Sequence, residues 1–238
     1  MKKYLLMNRF LTTIFMLSLI SFMILLSSFI EYDNHKSNTE YNVYYAFDNL
    51  YNNKLIIDSI MMNKSNIELI KSNKLNEIES KLYEIESIYE VNIFRDFNFN
   101  LSINVLEREP LAYYEKNDSY IDLSGKIIKR NKKLDDRLPI LLGETSKNNI
   151  KIVVDVIKAF NEDIFLNKEL GSIWFNEDEL FLKLNSFQFD IRFGDNNKMN
   201  KKLEMLKGFC IYDIKNKGNE TYKQIDLVYD NQLIAIKN

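Results

Sequence analysis

The chain holds a single cysteine, a single histidine, two prolines and six glycines. One cysteine excludes an intramolecular disulfide framework and any cysteine-rich zinc site. One histidine excludes clustered histidine metal sites and leaves little for histidine-based catalysis. No Gly-rich phosphate loop and no G-x-S-x-G elbow occurs, which sets aside two widespread enzyme patterns. A charge excess is missing too, since 34 acids nearly cancel 32 bases for a formal net charge of −2. Nucleic-acid binding needs a basic face, so the balance argues against that class as well. Apolar residues are plentiful: 46% hydrophobic and 13% aromatic over 238 positions suffice for one large or two small domains.

The near balance of charge hides an asymmetry. Residues 1–9 carry Lys2, Lys3 and Arg9 and no acid, and every acid lies beyond residue 30. Between them Phe10–Ile30 has no charge, no Pro and no Gly, and as a helix would span about 30 Å, a bilayer's hydrocarbon core. A cleaved signal peptide has a shorter apolar run and a small-residue site, and Ser27-Ser28 is a weak one. The reading is a transmembrane anchor over 10–30 with the basic tail 1–9 cytoplasmic and an acidic part exported. Residues 31–54 read as a juxtamembrane linker, with a short helix around Tyr44–Tyr51 and His35 with no His, Cys or acid cluster nearby.

Beyond the linker, Leu55–Met62 is a short Ile-rich run expected to be a buried strand. Ser65 and Glu68 have capping-box spacing for a short helix. Leu75, Ile78, Leu82, Ile85 and Ile88 form one stripe of a longer helix. Phe99, Leu101, Ile103 and Val105 alternate with polar residues, which defines a half-buried strand. Val91 and Ile93 begin its partner, with Arg95–Asn98 as the hairpin loop.

The remainder reads as short strands at Ala112–Glu115, Ser119–Asp122 and Lys126–Lys129, then an extended Leu138–Gly143. An amphipathic helix through Ile152, Val156 and Phe160 precedes strands at Ser172–Asn176, Leu180–Leu184 and Phe187–Phe193, expected to be antiparallel. Trp174 and Phe175 must face opposite sides of theirs. A second helix through Met199, Leu203, Leu206 and Cys210 leads to closing strands Tyr222–Tyr229 and Gln232–Lys237. Cys210 reads as a core filler. Glu107 and Glu109 could share a strand face, yet a catalytic pair also needs a cleft and raised pKa values. The structural reading is a strand end at Pro110, which has no amide to donate. Asp122–Gly125 reads as a turn and not a calcium loop, because further oxygen ligands at loop spacing are missing.

This layout resembles the FtsQ/DivIB family of bacterial cell-division proteins. Val105-Leu-Glu-Arg-Glu-Pro-Leu-Ala112 is similar to the family's V-x-E-R-x-P-x-A pattern, carried here by Glu107, Arg108 and Pro110. Tyr120–Gly125, with Asp122 and Gly125, looks like its ID-x-x-G hairpin. Leu138–Gly143, with Pro139 and Gly143, looks like its LP-x-L-x-G segment. Ile225-Asp226-Leu227 is similar to the family's iDLRY stretch, except that Val228 stands where Arg is usual.

The resemblance implies an α+β chain: a single N-terminal transmembrane helix, a POTRA-like βααββ module over 55–110, and a mostly antiparallel β-rich domain with two packed helices over 111–238. It implies a non-catalytic, single-pass scaffold of the divisome in the inner membrane at the septum, with no cofactor and no metal. Its partners would be other membrane division proteins, FtsB/DivIC-like and FtsL-like, adding a strand to the C-terminal edge. Tyr229, Gln232, Leu233, Ile234, Ala235 and Ile236 are the candidate contact residues. The competing expectation is a POTRA-type adaptor in protein export or assembly.

Overall fold

The computed structural model describes residues 13–27, 41–45, 50–95, 100–130, 138–216 and 221–237. The tail 1–9, His35 and the hairpin residues 96–98 lie outside the described residues. Residues 13–27 form helix α1, with Ile14, Phe15, Phe22, Met23 and Leu26 exposed. The described helix covers only about 22 Å of the expected 30 Å span. Among the described residues, no helix is long and apolar enough to cross a membrane.

The chain divides into two compact units. One comprises Met1–Ala46, Lys54–Glu84 and Glu90–Val105; the other comprises Phe47–Asn53, Ile85–Tyr89 and Leu106–Asn238.

The first unit contains β1 (Tyr41–Tyr45), α2 (Asn53–Met61), α3 (Lys64–Lys71), α4 (Leu75–Tyr83), β2 (Ile88–Arg95) and β3 (Leu101–Glu107). Its sheet has the order β1-β3-β2, with β1 parallel to β3 from Tyr41↔Leu101 to Tyr45↔Val105.

Four sequence expectations fail in this unit. The segment read as linker and short helix supplies strand β1. The run at Leu55–Met62 is helical, because Ile57 and Met61 recur at the helical interval of four and are both buried. The cap of α3 is Asn63, whose side chain accepts from the Ser65 amide, so Ser65 lies inside the helix it was expected to start. The stripe of α4 also stops early. Ile78 and Leu82 are its buried residues, whereas Ile88 opens β2.

The second unit is built on a nine-stranded sheet of order β12-β11-β10-β9-β8-β7-β4-β5-β6. Its strands are β4 (Pro110–Tyr114), β5 (Ser119–Asp122), β6 (Ile127–Lys129), β7 (Ile140–Leu141), β8 (Leu170–Asn176), β9 (Glu179–Leu184), β10 (Asp190–Gly194), β11 (Tyr222–Asp226) and β12 (Ile234–Lys237). Helix α5 (Lys147–Glu162) joins β7 to β8, and α6 (Met199–Lys215) joins β10 to β11. Both of those strand pairs are parallel, since neighbouring parallel strands need a crossover long enough for a helix. β4 and β7 are parallel as well, so the sheet is mixed, yet five of its eight pairings are antiparallel, as a mostly antiparallel sheet requires.

Both helices pack on one sheet face. Val153, Val156, Ile157 and Phe160 of α5 and Leu203, Leu206 and Cys210 of α6 bury against Leu141, Ile173, Leu182, Ile191 and Ile225. Ser146 caps α5 by accepting from the Asn149 amide at 3.2 Å. Cys210 is the expected core filler, and burial pushes its thiol up to about 12. Phe175 packs against this core, while Trp174 turns to the other face and stacks on Phe181 with ring centroids 5.7 Å apart.

Candidate partner-binding strand and its supports

β12 occupies one edge of the nine-stranded sheet and pairs antiparallel with β11 through Gln224↔Ile236, Ile225↔Ala235 and Asp226↔Ile234. Because Ile225 belongs to the helix-side core, Ala235 and Leu233 pack toward that side. Ile234 and Ile236 alternate to the opposite face, where they stay 41% and 42% exposed. The expected strands are both longer than the observed ones. β11 ends at Asp226, and Tyr229 and Gln232 sit in the connecting turn, where the Gln232 amide donates to the Tyr229 carbonyl. Tyr229 is exposed there.

This turn is held from outside. Lys198 donates to Asp230 at 2.8 Å and Lys201 donates to Asn231, so the start of α6 grips the turn residues. Asp226, itself buried, accepts the Val228 amide at 3.0 Å and Arg192 Nη1 at 3.0 Å. Arg192 also forks onto Glu179 with two bonds of 2.7 Å. Those bonds hold the Glu179 carboxyl below its ordinary range and push the guanidinium up.

Arg192, which braces the candidate strand's turn, is a residue that local pattern did not single out. Alternation with Ile191 and Phe193 places it on the open face, but its partner Asp226 is 34 positions away with no local signal. Val228, in the place of the family's usual Arg, lies over Gly194. A Cβ at Gly194 would come within 2.9 Å of Val228 Cγ2, and its φ of +75° independently favours glycine.

The remaining motif residues converge in a buried network of the second unit. Glu107 accepts the Leu50 amide at 2.6 Å and Asn53 Nδ2 at 2.8 Å, and Asn53 Oδ1 accepts Ser87 Oγ at 2.8 Å. Arg108 donates to Asp122 Oδ2 at 2.6 Å and to the Ile88 carbonyl at 3.1 Å. Asp122 Oδ1 accepts Ser124 Oγ and the amides of Ser124 and Lys126, closing the expected turn, with Gly125 at φ +81°.

Two expectations about this stretch change. Glu109 is exposed while Glu107 is buried, so they do not form an acid pair on one face. Pro110 does not end pairing either. It opens β4 opposite Asp122, a first-residue position where a missing amide is tolerated. Pro139 precedes the two-residue strand β7 and accepts the Tyr113 amide at 3.0 Å, which seats the segment between β4 and β8. Gly143, at φ +74°, turns the chain out of the sheet.

The network's carboxylates are displaced in opposite directions. Burial raises the Glu107 carboxyl despite the donors on its oxygens, the Leu50 and Tyr51 amides and the Asn53 side chain. Burial also acts to raise Asp122, but bonds from Ser124, Arg108 and the Lys126 amide together bring it below its ordinary value. A lowered folded pKa contributes stability above the unfolded value that is lost as pH falls through the folded one. Glu107 contributes in the reverse sense, best below its unfolded value and less as pH rises. Asp122→Asn is therefore expected to be less stable than wild type at neutral pH. It should also show a shallower loss of stability between about pH 5 and about pH 2 in urea unfolding. An unchanged acid slope would contradict the assignment.

Among the described residues, no group of three or more His, Cys, Asp or Glu is placed to hold a metal ion. No curated protein matches the chain. A family model described as FtsQ/DivIB, C-terminal related, matches residues 110–236, which run from the first residue of β4 into β12. That family is one of non-enzymatic division proteins and points to a part in cell division. With the match spanning more than half of the 238 residues, the chain belongs to the FtsQ/DivIB C-terminal related family.

Proposed function

We propose that this chain is a non-catalytic, single-pass membrane scaffold of the divisome that helps assemble septal wall synthesis at midcell. It binds FtsB/DivIC-like and FtsL-like membrane division proteins through β12. The observation that carries this reading is an edge strand with Ile234 and Ile236 exposed on one side of it, approached by a braced turn. Such an edge is an aggregation hazard unless a partner covers it, and an added strand satisfies its outward backbone groups. The contact set is Tyr229, Gln232, Leu233, Ile234, Ala235 and Ile236.

Phe10–Ile30 anchors the protein, and Lys2, Lys3 and Arg9 keep the tail on the cytoplasmic side of the inner membrane. Residues 55–110 are the POTRA-like portion, with β1 upstream of that boundary adding a strand. No acid–base chemistry is assigned to Glu107, whose oxygens are both occupied by donors of its own chain. The family membership favours this role over an export adaptor.

A fluorescent fusion and a depletion strain separate the two roles. Midcell bands and filamentous cells on depletion are expected, whereas a uniform envelope signal with normal division would refute the divisome role.

A further inference from the structure

Helix α2 has two apolar faces. Ile57 and Met61 are buried on one, while Leu55, Ile56 and Met62 point outward with exposures of 77%, 41% and 69%. Positions 55, 56 and 59 of α2 and Met62 one residue beyond it fall on one helical side, so the outward residues with Ser59 form a single strip, bordered by the half-buried Asp58. An exposed apolar strip opposite a buried face marks a surface that something else ordinarily covers.

Two observations say what covers it. The first is charge. Lys54 lies in its first turn and Lys64 just beyond its end, and residues 53–73 carry three lysines against two acids in a chain that is acidic overall, Lys74 being paired with Glu77. Lys54, Lys64 and Lys71 are all exposed, and none is a direct neighbour of an acid in an ion pair among the described residues. The second is proximity along the chain. Only about 25 residues separate the end of α1 from the start of α2. Once α1 is in a bilayer, a link of that length holds α2 at an effective concentration of the order of millimolar over the same surface.

We propose that the outward strip of α2 rests on the bilayer surface. Leu55, Ile56 and Met62 enter the headgroup boundary, and Lys54 and Lys64 contact anionic headgroups. This is the arrangement of an interfacial helix, with apolar residues below and lysine stems reaching back to the phosphates. It rests on the anchor reading of 10–30 and adds a second, lateral contact to it. The contact would fix how the first unit stands on the membrane, where a bare tether would let it turn freely.

The test uses the full chain in vesicles of phosphatidylethanolamine and phosphatidylglycerol whose acyl chains are brominated both near the headgroup and near the methyl end, so that shallow and deep residues are each within reach of bromine. Trp174 is the chain's sole tryptophan, so Trp174→Phe supplies a silent background. In it, Leu55→Trp reports on α2 and Leu19→Trp reports on α1. The expected result is blue-shifted emission with bromine quenching at both positions. Quenching at position 55 should also weaken when Lys54→Glu and Lys64→Glu are added. Quenching at 19 with water-like emission at 55 overturns the α2 contact and leaves the anchor standing. Absence of quenching at 19 overturns the anchor reading, and the α2 contact with it. Blue-shifted emission at 55 without quenching means that protein, such as a second copy of this chain, covers the strip, and that also overturns the proposal.

Discussion

Arg108→Ala is expected to lower the unfolding free energy by about 3–5 kcal/mol, because it leaves the Asp122 carboxylate buried without its counter-charge. Arg108 and Asp122 are 9% and 3% exposed, and their bond is 2.6 Å long. The guanidinium also serves the Ile88 carbonyl and lies over the Tyr89 ring at 5.5 Å, so truncation removes three contacts at once. Asp122 retains its Ser124 and Lys126 donors, which places the effect nearer the lower end of the range. Arg108→Lys should recover little, since a lysine cannot reach the carboxylate and the carbonyl with a planar fork. Arg130→Ala is the control. It breaks an equally short bond to Asp118, whose side chain is two-thirds exposed, and should cost about 0–1 kcal/mol. Urea unfolding of the three variants decides the matter, and equal losses for Arg108→Ala and Arg130→Ala would contradict the burial argument.

The second large effect concerns β12. In an antiparallel edge strand, successive amides point alternately to the neighbouring strand and to the open side. Ala235→Pro and Ile236→Pro therefore differ in kind: one deletes a bond to β11, the other an amide available to a partner. The outward-amide variant should keep its folded signal and lose FtsB/DivIC-like partner binding by about tenfold or more. Its neighbour should unfold more easily. Amide hydrogen exchange of the wild type identifies which is which before either is made. Capture of the partner at wild-type strength by the folded outward-amide variant would rule out strand addition at β12.

Much of the second unit is readable from local pattern. The stripes of α5 and α6 and the alternation in β8, β9 and β10 each need only neighbouring residues. Parallel pairing did not show, because strand direction follows from where α5 and α6 cross the sheet. β1 escaped for a related reason. Its Tyr/Asn-rich segment has no strong alternation of its own and is ordered by pairing with β3, some sixty positions on. α2 escaped because a short apolar run looks the same for a buried strand and a buried helix segment.

Of the candidate site, the terminal strand was legible and its bracing was not. Arg192 with Asp226 and Lys198 with Asp230 join residues more than thirty positions apart. Glu107, Arg108 and Asp122 were all marked by motif, but only folding shows that Arg108 and Asp122 share a buried bond while Glu107 binds elsewhere.

Cell length in a depletion strain supplied with the outward-amide proline variant most directly tests whether this chain supports division through β12. Filaments lacking septa, with the variant present at wild-type level in the membrane, are the expected result. Cells of normal length would contradict it.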